Sequence, residues 1–300
     1  MFKVAYSPIY SHKLPPGHRF PMEKYDLLPK QLLHEGTLEN ENFFEPKQVD
    51  LENVYKIHSK EYVTRYLNLE LTKREERRTG FKHTSKLVDR ERTLIQGTID
   101  CSHFAIKHGI SMNIAGGTHH ACPNHGEGFC MLNDQAIAAQ YLIDHNLASK
   151  ILIIDLDVHQ GNGTAEIFEN NSNVFTFSMH GASNYPMVKA KSDLDIALEN
   201  NTSDDFYLDT LTKTLSKLKN QVSPDFLFFQ SGVDILETDK LGKLSLTLDG
   251  CKKRDEIVLN FAKQNNLPIV ACMGGGYSED IKIIIEAHAN TFRLAQEIYF

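Results

Sequence analysis

The chain has 300 residues, 41% of them hydrophobic, and a formal net charge of −7. No apolar run approaches the roughly 20 residues of a membrane span and the opening MFKVAYSPIY holds no secretory-type segment, so one cytoplasmic domain over residues 1–300, free of membrane contact, is expected. The acidic balance excludes generic nucleic-acid binding and leaves room for a cationic substrate, while five cysteines, an odd number, are expected to stay reduced.

In chain order, the mixed-sign run KREERRTGFKH (residues 73–83) reads as a solvated loop around Gly80. From residue 111 onward, short apolar runs alternate with helical ones. SMNIAGG leads to MLNDQAIAAQYLIDHN, and KILIIDLD to GTAEIFEN. NVFTFSMH leads to SDDFYLDTLTKTLSKLKN, where Leu208, Leu211, Leu215 and Leu218 recur at helical spacing. DFLFFQSGVD precedes GCKKRDEIVLNFAKQN, and PIVACMGGGYS precedes a closing helix from about Asp280. Such alternation predicts an α/β fold, a mainly parallel sheet with helices on both faces.

The run ILIIDLDVHQGNGT poses the functional question. Asp155, Asp157 and His159 stand at every second position, so they share one side of the strand's carboxyl end. Burying carboxylates is costly unless a partner or a metal compensates them, and zinc accepts Asp and His ligands. The plain alternative is an Asp–His pair solvated beyond the strand end. The other strands also end in polar or glycine-rich segments: GGTHH, SMH, SGVD and GGGY. Ligands of open α/β sheets bind outside the carboxyl ends of the strands. One pocket is therefore expected to hold His119, His120, Asp155, Asp157, His159, Ser178, His180, Asp234 and Tyr277. Asp157, His159 and Asp234 would give a tetrahedral metal three ligands and leave one position open.

The segments GGTHHACPNHGEGFCMLND, DLDVHQGNGT, SGVDILETDKLGKLSLT and GGGYS, in this order, resemble the zinc-dependent histone deacetylase superfamily. HQGNG, DILETDKLGKLS and GCKKRDE resemble its class IV branch and bacterial relatives. The resemblance implies the three-layer arginase/deacetylase-like fold and one catalytic Zn²⁺ on Asp157, His159 and Asp234. It implies a structural K⁺ or Na⁺ held by Asp155, Asp157, His159, Ser178 and Met179. His120 would act as base and then acid, and His119, supported by Asp155, would tune the electrostatics. Tyr277 would polarise the substrate carbonyl. Gly128, Phe129, Tyr185 and Gly275 would border an acyl-lysine channel. Asn162 stands where many relatives have an aspartate supporting the second histidine, which leaves His120 less basic, and Lys24 falls near a position that is often arginine.

The implied activity is removal of acetyl or longer fatty acyl groups from lysine side chains of peptides or proteins. The alternatives are an acetylated polyamine or other small amide as substrate, and a non-catalytic acyl-lysine binding module, which the presence of both histidines and the tyrosine disfavours. A binuclear manganese hydrolase of the same fold would need further carboxylates. A zinc knuckle from Cys122, His125 and Cys130 lacks a fourth ligand.

Overall fold

The computed structural model describes residues 1–300. Eight strands form one sheet: β1 (Lys3–Ala5), β2 (Phe43–Phe44), β3 (Ile110–Asn113), β4 (Ile151–Asp155), β5 (Val174–Gly181), β6 (Leu194–Leu198), β7 (Phe226–Gln230) and β8 (Ile269–Cys272). Their order is β2-β1-β3-β8-β7-β4-β5-β6, and every pairing is parallel. The five apolar runs of the sequence are β3, β4, β5, β7 and β8. The outer strands β1, β2 and β6 escape sequence reading because two are only three and two residues long and the third alternates partly buried with exposed positions. β4 and β7 are buried throughout, as central strands of a parallel sheet covered on both faces must be.

The helices are α1 (Lys24–His34), α2 (Leu51–Tyr55), α3 (Lys60–Leu67), α4 (Lys73–Thr79), α5 (Ser85–His108), α6 (Asp134–Asp144), α7 (Asn162–Phe168), α8 (Asp204–Val222), α9 (Leu248–Gln264) and α10 (Ile281–Tyr299). Packing runs from α1 through α10 and α9 to α8 in one layer, and from α5 through α6 to α7 in another. The helical leucines behave as their spacing predicts, with Leu211, Leu215 and Leu218 buried. No helix is long and apolar enough to cross a membrane.

The run at 73–83 is not a loop. Thr72 and Glu75 form a capping box, acidic residues occupy the first turn and basic ones the last, and Gly80 closes α4 in the left-handed conformation at φ 80°. Its charges are solvated as expected, but on a helix.

Because β3, β8, β7 and β4 are neighbours, four chain segments separated in sequence emerge side by side at one edge of the sheet. Everything that follows is built there.

Candidate active site

Asp157 and His159 follow β4, and Asp234 follows β7. Oδ1 of Asp157 and Oδ2 of Asp234 each lie 3.1 Å from Nδ1 of His159. The second oxygen of each carboxylate is pinned by backbone: Gly275 N–H donates to Asp157 Oδ2 (2.8 Å) and Val158 N–H to Asp234 Oδ1 (3.0 Å). Each aspartate turns its other oxygen to the same point, where Asp157 Oδ1 also accepts from His159 N–H (3.1 Å). A Cβ at position 275 would lie 2.0 Å from Asp234 Oδ2, so the loop can approach only as glycine. All three side chains are buried.

Electrostatically this trio is short of positive charge. Burial and the neighbouring Asp157 raise Asp234 to about 7. Burial alone would lower His159, but its hydrogen bonds and charge contacts with both aspartates raise it to about 10. Tetrahedral zinc with bonds of about 2.0–2.3 Å has ligand–ligand edges of roughly 3.3–3.8 Å; the 3.1 Å spacings need open by only about 0.2 Å to reach them, and the donor types suit such an ion. Zn²⁺ would replace the protons the trio otherwise borrows.

His119 and His120 leave β3 on the turn Gly116–Gly117–Thr118. Thr118 N–H and Oγ1 both donate to Asp134 Oδ1 at the start of α6, and Gln230 Nε2 donates to Gly117 O (2.8 Å). The two imidazoles meet at 4.1 Å between centroids, tilted by 44°. His119 Nδ1 lies 2.8 Å from Asp155 Oδ2; although burial opposes charge, Asp155 and Asp157 raise it to about 9. His120 is driven the other way, well below the usual imidazole range, by burial and by repulsion from His119 and His159.

The His120 tautomer follows from its neighbours. Asn162 Nδ2 donates to Glu127 Oε1 (2.8 Å), a carboxylate that can only accept, so Asn162 Oδ1 faces His120 Nδ1 at 2.7 Å. Nδ1 therefore carries the hydrogen, and the lone pair of Nε2 is free. Gly128 (φ 55°) makes room for this ring, since a Cβ there would sit 2.6 Å from His120 Cδ2.

Tyr277 is buried beyond β8. Its backbone N–H donates to Asp239 Oδ2 (2.6 Å), and the same carboxylate, through Oδ1, holds Leu241 and Gly242 N–H. Burial and the charges of Asp157 and Asp234 raise its hydroxyl well above 10, which keeps it a donor. His119, His120, Gly128, Phe129, Asp157, Gly275 and Tyr277 line a small cavity of about 30 Å³. Outside it a larger cavity of about 350 Å³ reaches the surface past His159, Phe129, Tyr185 and Tyr277. Tyr185 stands edge-on to His120 at 5.0 Å. Arg19, Arg77, Arg78 and Lys243 border this mouth, which has no acidic lining residue. The cationic substrate inferred from net charge does not match this rim.

The expected pocket is otherwise assembled as read, with one correction. Ser178 and His180 lie one strand further out on β5, where Ser178 Oγ and His180 Nδ1 pair at 2.9 Å and His180 lies 4.0 Å from Asp195, so the imidazole is occupied away from the cavity. Asp155 and Ser178 are register partners on β4 and β5, with Met179 next along the strand. Lys24, fully buried at the start of α1, donates to Gly274 O (2.8 Å) and lies 6.0 Å from the Tyr277 ring centroid. Sequence reading missed Glu127, Asp239, and Arg254, which donates to Leu156 O just before Asp157. Nothing in local spacing marks these residues.

The fold and site define a hydrolase of the deacetylase type. The histone deacetylase domain family matches residues 18–292, and the chain belongs to the histone deacetylase superfamily. It is 42% identical over 298 residues to an uncharacterised protein of Picosynechococcus sp., covering 99% of both chains. It is 29% identical to histone deacetylase 2 of Arabidopsis thaliana, over 92% of this chain and 74% of that one. To the acetoin utilization protein AcuC of Staphylococcus aureus it is 28% identical, over 92% and 77%. The HDA15 HD domain superposes with a TM-score of 0.82 at 19% identity, covering 99% of this chain and 88% of that one, a likeness of fold.

Proposed function

We propose that the protein is a zinc-dependent deacetylase of acetyl-lysine side chains, acting on lysines in an acidic setting. The observation that carries this reading is convergence: His119, His120, Asp157 and Tyr277 line the inner cavity, His159 lines the outer one that opens to the surface, and Asp234 clusters with Asp157 and His159.

Asp157, His159 and Asp234 hold the ion, which when bound supplies Lewis acidity to the site. The remaining chemistry belongs to the chain. The lysine stem passes Phe129 and Tyr185 with Gly128 at the wall, and the Gly275 loop closes the inner end. Nε2 of His120 takes a proton from the attacking water, whose oxygen bonds to the carbonyl carbon. It returns that proton to the amine nitrogen as the carbon–nitrogen bond breaks. Tyr277 donates to the carbonyl oxygen as negative charge gathers there. His119, held by Asp155, contributes charge rather than proton transfer. Asp155 and Ser178 with the backbone at Asp157, His159 and Met179 are suited to a K⁺ or Na⁺ behind β4.

Two features narrow the substrate. The inner cavity of about 30 Å³ is little more than the share of one water molecule in the liquid, about 30 Å³. It suits an acetyl methyl and disfavours the longer fatty acyl chains that the class IV resemblance implies. The cationic rim repels the free ammonium groups of an acetylated polyamine and attracts carboxylates flanking a lysine. The test is a kcat/KM comparison of acetyl-, octanoyl- and myristoyl-lysine in one acidic peptide, of acetyl-lysine in a basic peptide, and of acetylated spermidine. Acetyl in the acidic peptide is expected to lead; preference for spermidine or for myristoyl overturns this specificity.

A further inference from the structure

Behind Asn162, away from the cavity, lies a second set of metal-type ligands. Cys122 and His125 pair across the tight turn Cys122–Pro123–Asn124–His125, with Cys122 N–H donating to His125 O (2.9 Å). This turn and the segment after it bring a Cys122 sulfur, a His125 nitrogen and a Glu127 oxygen within 4.8 Å of one another. Cys130, the partner that the sequence offers, turns away, its thiol donating to Gly128 O. Glu127 takes its place. Burial pushes the Glu127 carboxyl up, but hydrogen bonds from His125, Tyr185 and Asn162 outweigh it and hold the group at about 2. His125 Nδ1 bonds Asn124 Oδ1 (2.6 Å), leaving Nε2 to face Glu127 Oε2 at 3.4 Å. That edge is held by a proton on Nε2, or by a cation in its place.

We propose that Cys122, His125 and Glu127, with a water as fourth ligand, form a second divalent-metal site for a thiophilic ion of the zinc type. Thiolate, imidazole and carboxylate together suit Zn²⁺. The His125–Glu127 edge is already within the roughly 3.3–3.8 Å that tetrahedral zinc requires, and the edges to sulfur close by at most about 1 Å from the 4.8 Å bound. Binding expels the thiol proton of Cys122, and any proton on His125 Nε2, to solvent. The ion enters from outside, since the His125 and Glu127 side chains are 25% and 13% exposed. It binds Glu127 Oε2 while Glu127 Oε1 keeps Asn162, so its charge is felt along the Glu127–Asn162–His120 line. The site departs from the knuckle reading of the sequence in exchanging Cys130 for the Glu127 carboxylate, which no spacing rule points to.

Cobalt distinguishes this site from the catalytic one, because only this site contains sulfur. The full chain, stripped of metal and kept reduced with a phosphine, is titrated with Co²⁺ while the ultraviolet thiolate-to-cobalt band and bound cobalt are recorded. Two equivalents are expected, with the band belonging to one of them. His125→Ala, a change at the surface, and Cys122→Ser should each lose the band and one equivalent, whereas Asp157→Ala should keep the band. Absence of the band from the parent chain, its persistence in both hairpin variants, or its loss in folded Asp157→Ala overturns the proposal.

Discussion

The amide oxygen of Asn162 lies 2.7 Å from Nδ1 of His120, and its amide nitrogen is spent on Glu127. The Glu127 carboxylate therefore stands one residue beyond this histidine, and the amide passes on its influence. Asn162→Asp would put two carboxylates about 2.8 Å apart, where they must share a proton. We expect kcat to fall about tenfold or more in Asn162→Asp and to recover partly in Asn162→Asp/Glu127→Gln, where the new amide again donates. A double variant worse than the product of the single effects would show that Glu127 does not act through residue 162.

Tyr277 donates only once charge develops on the substrate oxygen. Loss of one such donor typically costs ~10²–10³ in turnover, so Tyr277→Phe should lower kcat by that amount with little change in KM, metal content or Tm. Near-parental turnover would leave carbonyl polarisation to the other groups of the site.

Oδ1 of Asp157 and Oδ2 of Asp234 converge on the ion site, with His159 between them. Measured in a His125→Ala background, so that the hairpin ligands do not contribute, Asp157→Ala and Asp234→Ala should each lose most of the remaining zinc while staying folded. Full retention by both variants would remove them from the ligand set.

His58 links the active-site loop to α6 in the neutral state. Its Nδ1 donates to Cys122 O (2.9 Å) and its Nε2 accepts from Asn133 N–H (2.9 Å), so a second proton would break the latter bond. Burial, only partly offset by its backbone hydrogen bonds, lowers it from 6.5 to about 4. The unfolded chain then binds the extra proton between these values, so the stabilisation is complete above about pH 6.5 and is lost as pH falls towards 4. The loss attributable to this group is about 3 kcal/mol at most. Thermal melts of the parent and His58→Asn should converge on acidification over that window; parallel curves would mean that His58 carries no such penalty.

How much of this was legible beforehand differs between residues for a physical reason. Asp155, Asp157 and His159 declare themselves because a strand places alternate residues on one side, and an apolar run ending in charge is costly unless something binds there. The tandem histidines and the glycines of GGTHH and GGGY are likewise written within single short segments. The sequence by itself therefore determined the five central strands and the superfamily, and it marked Asp157, His159, Asp234, His119, His120 and Tyr277 as the candidates. Only the tertiary structure decided that Glu127 backs Asn162, that Asp239 holds Tyr277, that α4 brings Arg77 and Arg78 to the mouth, and that the inner cavity is small. Each of these depends on contacts between segments far apart in the chain or on the volume left between them. Local periodicity encodes which face a residue occupies, whereas the partner across that face is set by strand order and packing.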